Sequence, residues 1–139
     1  MASGIPSELQ ALYQVATQSR EKAYSPYSQV KVGAAIRTTD GKIYGGCNME
    51  NSSYGATVCA ERVAIGKAIS EGSKRISDVL VVTDASPGWP PCGMCRQVIA
   101  EFSDPSTRIH VTNLKSELQT FSFNELVPHA FTPGHLLKP

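Results

Sequence analysis

The 139-residue sequence lacks the features that would assign it to a membrane or to a polyanionic partner. It contains no apolar stretch of the roughly 20 residues that a transmembrane helix requires. Residues 1–10 show neither the basic nor the apolar part of a signal peptide. Its 13 basic and 12 acidic residues nearly cancel, so the chain supplies no field that would hold nucleic acid. We therefore expect a cytoplasmic protein whose partner is a small neutral molecule.

Cysteine is also scarce, with four residues in the chain. Two of them form the pair Cys92-Gly93-Met94-Cys95. Because cytosolic thiols are kept reduced, this usage favours metal or redox chemistry over disulfides. No internal repeat or linker composition divides the chain, and its length suits one core. We expect residues 1–139 to form a single domain.

The hydrophobic pattern predicts helices that alternate with strands. Helices are expected from a capping box at Ser7 and Gln10 to about Tyr24, over about 57–70 and 93–102, and as a final turn at 123–126. Strands are expected at 29–38, 43–47, 79–82, 108–112 and 119–121. Gly72 is expected to end the second helix in left-handed geometry. This order predicts an α/β fold, with a mixed sheet of about five strands and helices on its faces.

Three cysteines lie at the beginnings of two predicted helices. Cys92 and Cys95 are three residues apart, so they share a helical face and can bind one ion together. Cys59 begins the other helix. Helix N-termini lower the pKa of thiols, and sulfur ligands select zinc. The spacing therefore predicts a zinc site.

Glu61 follows Cys59 by two residues and gives this site a catalytic character. Three protein ligands leave the fourth tetrahedral position of zinc for water. Side chains in the first turn of a helix lean back toward its N-terminus, so the Glu61 carboxylate can reach that position. It could take a proton from water and return it to a departing nitrogen, an arrangement found in zinc-dependent base deaminases.

Motifs along nearly the whole chain resemble the homotetrameric three-cysteine class of cytidine deaminases. They are Cys59-Ala60-Glu61-Arg62, Pro91-Cys92-Gly93-Met94-Cys95-Arg96-Gln97, Ser25-Pro26-Tyr27-Ser28, Val32-Gly33-Ala34-Ala35, Asn48-Met49-Glu50-Asn51-Ser52-Ser53-Tyr54-Gly55, Leu126-Val127-Pro128 and Ala130-Phe131. The resemblance implies a three-layer cytidine deaminase-like fold with one Zn²⁺ per subunit. It also implies the hydrolytic deamination of cytidine and 2'-deoxycytidine in pyrimidine salvage.

The resemblance also implies roles for individual residues at the nucleoside. Asn48 and Glu50 would bind the sugar hydroxyls, and the backbone at Ala60 would bind the edge of the base. Arg62 would donate to the ligand sulfurs and withdraw charge from them. Val30 departs from the family, which commonly has an aromatic residue at that position. We therefore expect weaker packing against the nucleoside at this wall.

Two aromatic residues are implied to act between subunits. Tyr54 and Phe131 would reach the active sites of neighbouring subunits in a homotetramer. Without the family motifs, both would be read as ordinary packing residues. His110, His129 and His135 lie outside every motif, and we expect none of them to be a ligand.

Four other interpretations remain open at the level of sequence. Cys47 could complete a closed, four-thiolate structural zinc site. Cys92 and Cys95 could form a thioredoxin-like dithiol, although this interpretation needs Trp89 nearer the cysteine and gives Cys59 no role. The chain could be a non-catalytic zinc module, or it could deaminate another cytosine compound. A polynucleotide substrate is disfavoured because such enzymes carry His-x-Glu at the first motif and need a basic groove.

Overall fold

A computed structural model describes residues 4–137 of the chain. The predicted domain boundaries at 1–3 and 138–139 lie outside the described residues. The strands are β1 (Gly33–Thr38), β2 (Ile43–Cys47), β3 (Ile76–Thr83), β4 (Arg108–Asn113) and β5 (Leu118–Ser122). The helices are α1 (Gln10–Arg20), α2 (Ala60–Ser70), α3 (Gly93–Glu101), α4 (Phe123–Leu126) and α5 (Pro133–Leu136). No helix within residues 4–137 is long and apolar enough to cross a membrane.

The five strands form one mixed sheet in the order β2-β1-β3-β4-β5. The pairs β1–β2, β1–β3 and β4–β5 are antiparallel. β3 and β4 are parallel, and α3 lies in the connection between them. A parallel pair needs a crossover of this kind, which explains why a helix separates these two strands in the sequence. The predicted mixed sheet is confirmed.

Alternate side chains of the central strands pack against helices on opposite faces. On one face, Leu12 and Ala16 of α1 belong to a core cluster with Leu80 and Val82. On the other face, Val79 and Val81 pack with residues of α2 and α3, including Ile65 and Ile99. A strand that is buried on both faces carries the continuous apolar run seen in β3. The sheet is thus the middle layer of three, as predicted.

Two glycines set how closely the helices approach the sheet. A Cβ atom at Gly46 of β2 would lie 2.6 Å from the Ala60 carbonyl oxygen and 2.6 Å from the Ala64 nitrogen. A Cβ atom at Gly33 of β1 would lie 2.1 Å from the Ala16 carbonyl oxygen. A side chain at either position would push a helix off the sheet. Gly46 therefore holds the first turn of α2 directly against β2.

The start of α1 differs from the prediction. Ser7 begins a short 3₁₀ turn after Pro6, and no side chain caps this turn. The amide of Gln10 donates instead to the Ile5 carbonyl at 2.7 Å. The predicted capping box at Ser7 is therefore wrong. A capping box is present at Ser122, where the hydroxyl and Glu125 satisfy each other's backbone N–H groups at the start of α4.

Four other boundaries differ from the prediction by three or four residues, including that of β3, which begins at Ile76 and not at Val79. α1 ends at Arg20, and Tyr24 then forms a bridge with Met49. β1 begins at Gly33, since Gln29 adopts a left-handed φ of 63°. α2 begins at Ala60 because Val58 pairs with Met49. The prediction of a left-handed Gly72 is confirmed by its φ of 95°, whereas α5 was not predicted.

Candidate active site

Three thiols meet where α2 and α3 begin. Cys59 is the N-cap of α2 and Cys92 is the N-cap of α3. Cys95 is buried in the first turn of α3. The three Sγ atoms all lie within 4.8 Å of one another. Among residues 4–137, this is the one group of three or more Cys, His, Asp or Glu side chains arranged to hold a metal ion.

The geometry of these thiols fits zinc. Three sulfurs at about 2.3 Å from one tetrahedral ion would lie about 3.8 Å apart. The Sγ atoms of Cys59 and Cys92 are 3.7 Å apart. All four cysteines of the chain are free, and Cys47 is not part of the thiol group. The closed site with Cys47 as fourth ligand is therefore not formed, and three thiols leave one tetrahedral position open.

The thiols are not equivalent in charge. Hydrogen bonding from Cys95 lowers the pKa of Cys59 to about 5, and Arg62 and Cys92 act in the same direction. The same contact with Cys59, together with burial, raises the pKa of Cys95 well above its ordinary value. Negative charge is therefore held first at Cys59. A cation bound among the three sulfurs would favour the thiolate form of the others.

Arg62 lies beside this charge. Its Nη2 atom donates to Cys59 Sγ at 3.6 Å and to the Thr57 carbonyl at 3.4 Å. The hydrogen bond to Cys59 raises the pKa of the guanidinium further. Its Nε atom is buried and has no hydrogen-bond partner among the described residues. The guanidinium is therefore positioned by Cys59 through its Nη2 atom, while its Nε atom has no partner among the described residues.

Glu61 is a buried acid in the first turn of α2, with 4% of its surface exposed. Burial raises the pKa of its carboxyl group to about 7, because removal from water disfavours the charged form. The negative charge of Cys59 acts in the same direction. This carboxyl group lines the same cavity as Cys59 and Cys92.

The cavity next to the thiols has a volume of about 200 Å³. Its lining is largely apolar, with a few polar groups, which is typical of small-molecule sites. The lining residues are Val32, Asn48, Thr57, Val58, Cys59, Ala60, Glu61, Val81, Thr83, Trp89, Pro90 and Cys92. Of the predicted substrate contacts, the cavity brings Asn48 and Ala60 to the thiols. Val30 is not among the residues that line it.

Asn48 is buried and already engaged with the backbone of the chain. Its Oδ1 atom accepts from the Val32 N–H at 2.9 Å, and its Nδ2 atom donates to the Val30 carbonyl at 2.8 Å. An amide has one further donor and one further acceptor position. Asn48 therefore fixes the segment before β1 and retains limited capacity for a ligand.

Glu50 lies in a second depression of about 310 Å³, which is lined by Tyr27, Ser28, Glu50, Tyr54 and Thr57. Its carboxylate accepts from the backbone N–H groups of Tyr27 and Ser28 at 3.0 and 3.2 Å, and from the Ser28 hydroxyl. The Ser28 hydroxyl lowers the pKa of Glu50, so the group is held as a carboxylate. Thr57 lines both depressions, so they adjoin.

Tyr54 and Phe131 lie outside the thiol cavity within one chain. Tyr54 is 77% exposed, and its ring packs near Tyr27. Phe131 is 55% exposed and stacks on His135, and its carbonyl accepts from Gln97 at 2.8 Å. Neither residue is among those that line the cavity next to the three thiols. Both present aromatic surface to solvent.

Sequence analysis did not assign Thr57, Thr83, Trp89 or Pro90 to the site. Thr57 precedes the assigned Cys59 by two residues, whereas Thr83 is the last residue of β3. Trp89 entered only the redox interpretation, although it precedes Cys92 by three residues. Its proximity to a metal motif was the available signal, but the path of the loop that carries it is not encoded in any periodic pattern.

Comparison with known proteins agrees with this geometry. Residues 6–111 match the family described as the cytidine and deoxycytidylate deaminase zinc-binding region. A cytidine deaminase of Halalkalibacterium halodurans is 47% identical over 88% of this chain and 93% of that protein. One from Sporosarcina psychrophila is 45% identical over 93% of this chain and 95% of that protein.

The fold leads to the same family. The crystal structure of a cytidine deaminase from Burkholderia pseudomallei superposes with a TM-score of 0.84 at 41% identity, covering 91% of this chain and 100% of that one. This chain therefore belongs to the zinc-binding cytidine and deoxycytidylate deaminase family.

Proposed function

We propose that this protein is a zinc-dependent hydrolase that converts cytidine and 2'-deoxycytidine to uridine and 2'-deoxyuridine with release of ammonia. The observation that carries the proposal is the placement of a buried acid, Glu61, in one cavity with three clustered thiols. Membership of the deaminase family and the cavity of about 200 Å³ agree with it. The near-neutral charge of the chain suits an uncharged nucleoside.

Cys59, Cys92 and Cys95 would hold one Zn²⁺ per subunit. When bound there, zinc supplies a Lewis acid that lowers the pKa of water from 15.7 toward about 7. The contact between Arg62 and Cys59 Sγ supports a role for Arg62 in offsetting the charge of three thiolates. With part of the thiolate charge offset by Arg62, zinc would still be able to lower the pKa of water.

Glu61 performs the proton transfers. Its carboxylate accepts a proton from the attacking water and delivers it to N3 of the cytosine ring, while the water oxygen adds to C4. Glu61 then carries the second proton to the amino group on C4. The C4–N bond breaks, ammonia leaves and the uracil carbonyl forms. The burial of Glu61 supports this role, because an acid away from bulk water keeps its proton within the site.

Substrate binding is divided between the two adjoining depressions. The base occupies the thiol cavity, where the backbone at Ala60 binds its edge. Asn48 and Glu50 bind the sugar hydroxyls. The fixed orientation of the Glu50 carboxylate and the lining of both depressions by Thr57 support this division. Val30, which is partly buried outside the cavity lining, contributes little to base stacking.

The active assembly is a homotetramer, in which each chain contributes residues to its neighbours. Tyr54 and Phe131 are exposed and do not line the thiol cavity of their own chain, which supports their use at neighbouring sites. We place the enzyme in the cytoplasm and in pyrimidine salvage, with residues 1–139 forming one domain. Sedimentation of a fully active monomer would contradict the assembly.

A spectrophotometric assay tests the function. Zinc-loaded protein should cause the loss of absorbance that accompanies conversion of cytidine to uridine. Glu61→Gln should lower kcat by about 10²–10⁴-fold, while zinc content stays at one per chain. Glu71→Gln is the matched control, because Glu71 is exposed at the other end of the same helix, and it should keep full activity. Equal activity in wild type and Glu61→Gln would refute the assigned role.

A further inference from the structure

Trp89 lines the thiol cavity but has no assigned role. It lies in the loop between β3 and α3, three residues before Cys92, and 50% of its surface is exposed. It is the one tryptophan of the sequence. Among the residues that line this cavity it is also the one aromatic side chain. The rest of the apolar wall is aliphatic and includes Val32, Val58 and Val81.

The backbone around Trp89 is held firmly. Asn113 donates to the Ala85 carbonyl at 2.9 Å, which ties the start of the loop to the end of β4. A Cβ atom at Gly88 would lie 2.6 Å from the Thr112 carbonyl oxygen, so the loop packs directly on β4 at this point. Pro90 disfavours helical geometry at Trp89 itself. Trp89 is therefore presented from a fixed rim of the cavity.

The indole has no structural partner that explains its position. Within residues 4–137, no hydrogen bond of its Nε1 atom and no ring contact with another aromatic side chain is found. Half of its surface remains exposed, so core packing does not account for it either. What the indole does face is the cavity that holds Glu61 and the thiols.

We propose that Trp89 is the aromatic wall on which the pyrimidine ring of the substrate stacks, and that it thereby determines specificity for a planar base. The proposal rests on the proposed function and extends it to a residue outside the catalytic motifs. The flat face of an aromatic base gains from stacking on an indole, and every base offers such a face. Val30 lies outside the lining of this cavity. The aromatic contact therefore comes from Trp89, in the loop before α3, and not from the segment before β1.

The proposal is tested by exchanging the ring for an apolar side chain. Trp89→Leu should raise KM for cytidine by about tenfold, within the range for losing one base-stacking aromatic. It should lower kcat less than it raises KM, because C4 alone leaves the ring plane when water adds and most of the stacking is made in both the ground state and the transition state. Trp89→Phe should restore most of the affinity. Circular dichroism and zinc content establish that each variant is folded and loaded.

A pair of inhibitors separates stacking from general packing. Uridine has a planar ring, whereas 5,6-dihydrouridine has a puckered one. Trp89→Leu should weaken inhibition by uridine about tenfold and inhibition by dihydrouridine by less than about threefold. Equal losses for both inhibitors, or no loss for either, would overturn the proposal.

Fluorescence gives an independent measurement, because all tryptophan emission comes from Trp89. Titration of wild type with uridine should change this emission saturably, with a midpoint equal to the inhibition constant. Unchanged emission at saturating uridine would overturn the proposal for Trp89. It would not affect the proposed deaminase function, which the cytidine assay tests separately. Failure of zinc-loaded wild type to convert cytidine would instead refute the proposed function, and the titration would still report whether a base binds at Trp89.

Discussion

Two clusters of ionisable side chains, each containing a buried acidic residue, are built differently. In the first, which we call the histidine cluster, His110 is fully buried and lies 2.8 Å from Asp78 and 2.9 Å from Thr120 through its two ring nitrogens. Arg108 contacts the same Asp78 oxygen at 3.2 Å. Every polar atom of the His110 ring therefore has a partner within the chain.

The second cluster is the thiol centre of Cys59, Cys92, Cys95, Glu61 and Arg62. Here the thiols mainly face one another, and Arg62 keeps a buried Nε atom without a partner among the described residues. The pKa of Glu61 is raised to about 7 by burial. Buried polar groups that satisfy one another contribute to stability, whereas an unsatisfied arrangement is typical of a site that awaits a ligand. The comparison predicts that mutations in the thiol centre lower zinc content and activity, whereas mutations in the histidine cluster lower stability.

The largest expected effect is loss of the metal from the thiol centre. Cys95→Ala removes one of the three proposed ligands, so zinc content should fall from one per chain to nearly none and deamination should become undetectable. Cys47→Ala is the matched control, because Cys47 lies outside the thiol group. It should retain both zinc and activity. Full zinc content in Cys95→Ala would show that the thiol centre does not bind the metal, and would contradict the distinction between a metal-binding cluster and a structural one.

Disruption of the histidine cluster should affect stability instead. His110→Ala leaves the buried Asp78 carboxylate without one of its partners, which should lower the free energy of unfolding by about 3 kcal/mol. Urea unfolding followed by circular dichroism measures this change. The folded variant should keep its zinc and a near-normal kcat. A large loss of kcat without a loss of stability would assign His110 to the active site and contradict the comparison.

Arg62→Gln should have a smaller effect on the thiol centre. Removal of the donor to Cys59 Sγ is expected to lower zinc affinity or activity by about 10–100-fold. Competition with a chelator measures the affinity. Arg62→Lys keeps the charge but not the planar guanidinium, so it should recover part of the loss. Unchanged affinity in Arg62→Gln would show that the contact with Cys59 does not tune the ligand.

The smallest predicted effect is a dependence of stability on pH in the histidine cluster. Burial raises the pKa of Asp78, but the hydrogen bond and charge of His110, with Arg108, outweigh it, so the folded pKa lies below the ordinary 3.8. Such a group stabilises the fold above pH 3.8, and this contribution is lost as pH falls through the lower folded value.

Urea unfolding from pH 6 down to about pH 3 measures this contribution. The stability of wild type should fall more steeply than that of Asp78→Asn across this range. Both proteins are expected to lose zinc in acid, because protons compete for the thiolates, so the difference between them isolates Asp78. Glu71→Gln gives the background for removing one exposed carboxylate. Parallel curves for wild type and Asp78→Asn would show that this pair does not titrate as described.

The parts of the molecule that follow a local rule were predictable from the sequence. The apolar run at Val79 to Val82 indicated a strand buried on both faces, and the thiol spacing indicated one shared site. Both depend on periodicity alone. The start of α1 was not predictable in this way, because Ser7 has the composition of a cap but Pro6 and the 3₁₀ turn determine the geometry.

The surroundings of the site were less accessible to sequence reasoning. Asn48 was expected to bind sugar, yet its amide also bonds the backbone at Val30 and Val32, which requires the fold of the preceding segment. Trp89 reaches the cavity because Gly88 packs on β4, a contact between residues distant in sequence. Periodic patterns describe which face of an element is buried, but they do not describe where a loop passes.

The close approach at Gly46 links two properties that are usually measured separately. This glycine sets the thickness of the layer between β2 and α2, and the first turn of α2 carries both Cys59 and Glu61. The other two thiols belong to α3, which does not depend on that spacing. Added bulk at residue 46 would therefore displace Cys59 relative to Cys92 and Cys95, the other two proposed zinc ligands. A variant there should present as a defect of folding and of cofactor retention together.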